Sequence, residues 1–81
     1  MSPIDSRLGA PRPAVVLSGP GGQPIEVAGR EVVAVRESWL VEDRWWTGEP
    51  LRRRYWEVVT LAGDNLVVFR DLVGGGWFSH R

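Results

Sequence analysis

Arg52, Arg54 and Trp56 occupy alternate positions of the run Arg52-Arg53-Arg54-Tyr55-Trp56. On an extended strand this spacing points two guanidinium groups and an indole to one side, with Arg53 and Tyr55 on the other. Such a row can hold the phosphates of a single-stranded nucleic acid while the indole stacks on a base, worth roughly 1 to 3 kcal/mol per base. It can equally anchor a protein partner, because tryptophan, tyrosine and arginine dominate the binding energy of interfaces. The same side chains can also be structural, with Arg54 paired to Glu49 or Asp71 and Trp56 in the interior. Just upstream lie Trp45 and Trp46. Residues 44–56 together hold three of the five tryptophans, the one tyrosine and four of the ten arginines. Trp45, Trp46, Arg52, Arg54 and Trp56 therefore form the candidate binding surface.

Catalytic chemistry finds little to work with. His80 is the one histidine and stands next to the last residue, where fraying is the rule. With no cysteine in the chain, a zinc site would have to rely on carboxylates, which are poor zinc ligands on their own. Serines stand at 2, 6, 18, 38 and 79, but nucleophilic catalysis needs a base and an orienting acid beside the hydroxyl. Glu42-Asp43 reads as a pair of solvated turn acids, and Gly74-Gly75-Gly76 is followed by neither the lysine nor the helix of a phosphate loop. The expectation is a protein that is not an enzyme and takes no cofactor or metal.

The elements that position the arginines and rings are strands. Apolar residues recur with a period of two, valine leads the periodic segments, and no stretch has helical spacing. Ile25-Glu26-Val27 and the strand from Val32 to Val41 flank Ala28-Gly29-Arg30, a hairpin turn. A turn at Ala28-Gly29 sets Glu26 opposite Glu31, a like-charge pair, so a register shifted by one residue is equally open. Along the second strand Val33, Val35, Glu37, Trp39 and Val41 share the face expected to be core. Glu42-Asp43 reads as a reversal that brings Trp39 across from Trp46 and Leu40 across from Trp45. Thr47-Gly48-Glu49-Pro50 is a loop. Residues 52–61 and 65–71 form a second hairpin; with Gly63-Asp64 as its turn, Val59 faces Val68 and Glu57 faces Arg70. Both faces of that ribbon are apolar, which a sheet curled into a small barrel accommodates. The triple glycine makes the last reversal, into Trp77-Phe78-Ser79-His80.

The fold class expected is all-β: a small antiparallel, five- to six-stranded curled sheet or barrel, SH3-like or related. Residues 1–23 carry four of the six prolines and four of the ten glycines and read as a flexible leader, in which Ala14-Val15-Val16-Leu17 is at most a short edge strand, leaving residues 24–81 as the barrel-like domain. At 81 residues the chain is one domain, and it buries only about 60 to 65% of its unfolded surface. Its charge is balanced, ten acidic against ten basic side chains, so bulk electrostatics do not mark it as a nucleic-acid binder. All ten basic residues are arginine, a pattern expected of a high-GC bacterial genome. No apolar run approaches the roughly 20 residues of a membrane span, and the first residues lack the order of a secretion signal. With no cysteine, a cytoplasmic location is expected.

Several runs carry a family resemblance: Glu37-Ser38-Trp39, Asp43-Arg44-Trp45-Trp46, Arg52-Arg53-Arg54-Tyr55-Trp56-Glu57-Val58, Leu66-Val67-Val68-Phe69-Arg70-Asp71-Leu72 and Gly76-Trp77-Phe78. They resemble a small bacterial domain of unknown function similar to the C-terminal segment of ImuB-type proteins, inactive Y-family polymerase homologues of the bacterial mutasome. That domain also occurs as stand-alone proteins, chiefly in actinobacteria. The resemblance spans residues 35–78 and implies a setting in DNA repair and translesion synthesis, holding partners together rather than performing a reaction. The function expected is protein interaction, with a replication or repair protein as partner; the alternative is single-stranded nucleic-acid binding through the Arg/Trp face.

Overall fold

The computed structural model describes residues 11–43, 48 and 50–80. They form β1 (Arg12–Pro13), β2 (Val16–Ser18), β3 (Pro24–Val27), β4 (Arg30–Asp43), β5 (Leu51–Thr60), β6 (Asn65–Asp71) and β7 (Trp77–Ser79). These make one antiparallel sheet in the order β1-β7-β6-β5-β4-β3-β2. Among the described residues the only helical turn is a short 3-10 segment, Pro20–Gly22, and no helix is long and apolar enough to cross a membrane.

The all-β expectation holds, with seven strands in place of five or six. The two additional strands come from residues 12–18, which composition had assigned to the leader. Only Ala14 and Val15 separate β1 from β2, yet those strands lie at opposite ends of the sheet order. The sheet must therefore curl until its two edges meet at this one segment. Ala14 N–H donates to the Trp77 carbonyl at 2.9 Å, and Ala28 N–H donates to the Val15 carbonyl at 2.7 Å. Proline serves here because a two-residue edge strand can dispense with one N–H. The division at residue 23 falls between β2 and β3, which pair with each other in the one sheet. Residues 1–10 lie outside the described residues.

One face of the curl holds the valine core, Val27, Val58 and Val68, with Val16, Val32, Trp56, Leu66 and Trp77 packed on it. Burying each such valine contributes about 1.5 kcal/mol or more. The other face carries a row of rings: Trp39 opposite Tyr55, Tyr55 opposite Phe69, and Phe69 opposite Phe78. Tyr55 and Phe69 are fully buried. Both faces are apolar, as expected, and each has its own core.

Four register expectations meet different outcomes. The turn at Ala28-Gly29 forms, with Glu26 opposite Glu31. Like charges cost roughly 0.2 to 1 kcal/mol, less than the gain from seating Val27 in the core. β4 runs through Glu42 and Asp43 instead of turning there, and Trp39 faces Tyr55 while Leu40 faces Arg54; Trp45 and Trp46 lie outside the described residues. The Glu42 carboxylate accepts from Arg52 Nε at 2.8 Å, which favours continued pairing over a reversal. Irregularities between Val32 and Ala34 and between Val35 and Glu37 leave Val33 and Val35 about half exposed, so the face expected to be core holds only around Trp39 and Val41. A bulge inserts one residue and so breaks the two-residue alternation.

The β5–β6 hairpin is displaced by three residues from the expected register: Tyr55 faces Phe69, Glu57 faces Val67 and Val59 faces Asn65. Its loop is Leu61-Ala62-Gly63, closed by Thr60 N–H to the Asp64 carbonyl at 3.0 Å and Gly63 N–H to the Thr60 carbonyl at 2.8 Å. Gly63 has φ +91°, the left-handed residue that ends a three-residue hairpin loop. An odd slip flips one strand's faces, and here it aligns the rings.

Candidate binding surface

On β5 the alternation of Arg54 and Trp56 survives as expected. The neighbouring strands complete it: Arg54 is opposite both Leu40 and Arg70, and Arg70 is opposite Trp77. The Trp56 and Trp77 rings lie 5.1 Å apart at 37°. The Arg70 guanidinium carbon is 5.8 Å from the Trp77 ring centroid, within cation–π range. Trp56 and Trp77 both pack on the valine core and are both partly exposed.

Arg52 shares the face but is engaged by Glu42. Neither Arg54 nor Arg70 has an ion pair among the described residues; the pairing of Arg54 with Asp71 does not form, and Glu49 lies outside the described residues. Trp45 and Trp46 also lie outside them. The surface that does assemble is Arg54, Arg70, Trp56 and Trp77. Sequence reasoning missed Arg70 and Trp77, although the triple glycine between them was the available signal, since a tight turn there must fold Trp77 back onto β6.

The opposite face is closed. Tyr55 lies nearly parallel to Trp39, with centroids 5.3 Å apart at 4°, and to His80, 5.8 Å apart at 11°. His80 is buried rather than frayed, because ring packing on Tyr55 and Phe69 holds the end of the chain. Arg53 is drawn inward on this side: its guanidinium carbon sits 4.4 Å above the Phe69 ring and Nη1 donates to the Tyr55 hydroxyl at 3.3 Å. Among the described residues, Trp39 Nε1 and Arg53 Nε are buried without a hydrogen-bond partner, which costs roughly 1 to 3 kcal/mol each.

Asp71 Oδ1 accepts the N–H groups of Val73 at 2.9 Å and Gly74 at 3.0 Å. Those bonds, the Gly74 one foremost, hold its carboxyl below the usual value; desolvation opposes them and the Arg53 charge adds to them. A cavity of about 270 Å³ lies at the seam of the curl, between Arg12, Pro13, Val27 and Leu66. It includes none of the four surface residues. Among the described residues no group of three His, Asp or Glu is placed to hold a metal ion.

Comparison with family models, with curated proteins and with solved structures finds no match.

Proposed function

We propose that the chain is a non-catalytic binding module that engages an acidic segment of a protein partner through Arg54, Arg70, Trp56 and Trp77. The observation that carries this reading is the placement of Arg54 directly opposite Arg70 with no carboxylate bonded to either among the described residues. Like charges across a strand pair destabilise the free fold, and an arriving anion relieves that repulsion while an apolar neighbour covers the indoles. The resemblance to the ImuB-type C-terminal segment supports a cytoplasmic setting in DNA damage tolerance, with a replication or repair protein as the partner.

The same arginine pair beside two indoles also supports single-stranded nucleic-acid binding as the second reading, because cations and stacking rings are what that ligand needs. Tryptophan fluorescence titrated with a peptide of alternating aspartate and leucine, and separately with an oligothymidylate, distinguishes the two. The first reading expects saturable quenching by the peptide, lost in Arg54→Glu. Quenching by the oligonucleotide alone, weakening as salt rises, would replace it with the second. No response to either ligand at low salt removes both.

A further inference from the structure

The cavity at the seam of the curl owes its existence to the side chains that cross from β1 to β2. Ala14 lines it with a single methyl group, while Val15, the other crossing residue, is 75% exposed and leaves the space unfilled. Ala28, whose N–H bonds the crossing at the Val15 carbonyl, is a second small wall residue. Val27 and Leu66 also line the cavity, and because Val27 belongs to the valine core and Leu66 packs on it, the space reaches the apolar interior. Its volume is about 270 Å³. Roughly 150 Å³ of apolar space is enough to admit benzene, so a ring with one small polar substituent fits.

Two arginines, Arg12 and Arg30, line the same cavity, and their charges are not equally available. Arg30 Nη1 lies 2.7 Å from Asp64 Oδ2, so its charge is matched. Arg12 is exposed and has no ion pair among the described residues. The seam therefore offers one uncompensated cation beside an apolar recess.

We infer that this cavity binds a small aromatic monocarboxylate of benzoate size, its ring against Val27 and Leu66 and its carboxylate on the Arg12 guanidinium. The planar fork of a guanidinium meets a carboxylate through two parallel N–H bonds, while apolar contact supplies the rest of the attraction, the usual division of labour in a small-molecule site. A second negative charge on the ligand is disfavoured. It would meet no unmatched cation, and the Asp64 carboxylate beside Arg30 would repel it. None of Arg54, Arg70, Trp56 and Trp77 lines this cavity, so the site stands apart from the surface proposed for a protein partner.

The test titrates the full chain with benzoate and with benzamide, which has nearly the same shape and no charge, and follows backbone amide chemical shifts. Benzoate is expected to give saturable shifts at Ala14, Val27, Ala28 and Leu66 and to bind about tenfold more tightly than benzamide, as a charge-assisted contact in place of a neutral one should. Arg12→Gln should remove that preference and leave benzamide binding in place, and Ala14→Leu, which fills the recess, should abolish both. Arg54→Glu should change neither, which separates this site from the other surface. Equal affinity for the two compounds on the unaltered chain, shifts centred on Trp56 and Trp77, or no saturable shift with either would overturn the inference. The comparison of benzoate with benzamide on the unaltered chain and the effect of Arg12→Gln, at an exposed position, stand even where Ala14→Leu fails to fold.

Discussion

Ala28 has φ +51°, in the left-handed region where a Cβ is crowded by the following carbonyl at about 1 to 2 kcal/mol. With Gly29 at φ +79° it makes the tight turn that joins β3 to β4. Asparagine tolerates this conformation and is preferred before glycine in such turns, so Ala28→Asn should stabilise the fold by about 0.5 to 1 kcal/mol, measured by urea unfolding. Asp71 gives a second prediction at this scale. Its folded-state pKa is lowered below 3.8, so its contribution is fully present above the unfolded value and is lost as pH falls through the folded one. Melting temperature should drop as pH is taken below about 4, and Asp71→Ala should flatten part of that drop while lowering stability at neutral pH by about 1 to 2 kcal/mol.

The elements are coupled through the ring row. Tyr55 contributes its ring far more than its hydroxyl, since among the described residues the bond to that hydroxyl, from Arg53 Nη1, is 3.3 Å long. Tyr55→Phe should fall within about 1 kcal/mol of the parent in denaturant unfolding, whereas Tyr55→Ala should lose about 3 to 5 kcal/mol as a large aromatic truncation in a core. On β4, Glu37→Lys exchanges a like-charge pair with Glu57 for an opposite-charge one. It should raise stability by roughly 0.2 to 1 kcal/mol in urea unfolding. The alternation of β5 was legible without coordinates because a period of two is local. The register between β5 and β6 was not: opposite charges at Glu57 and Arg70 favoured one alignment, and the conformational demand of Gly63 together with the burial of Tyr55 and Phe69 selected another.

At the scale of the whole molecule the curl depends on residues 12–18. Val16 packs on the core, and β1 and β2 cover the two ends of the sheet order. Removing residues 1–18 should abolish the cooperative melting transition, followed by near-ultraviolet circular dichroism, because it bares Val27 and frees both edges at once. A small core has no reserve to absorb that loss. Composition made this segment read as a leader, since proline and glycine dominate it, and what anchors it is distant in sequence: Trp77 and Ser79 for one strand, Val27 for the other.

The amino-acid order alone settled that the chain is built of strands with two apolar faces, because side-chain alternation and turn residues act over a few neighbours. It also placed Arg54 beside Trp56. Tertiary structure decided what stands across from them, Arg70 and Trp77, and turned Arg53 and His80 inward. Pairing partners are chosen by summed burial and loop geometry over the entire sheet, and no short window of sequence contains that sum.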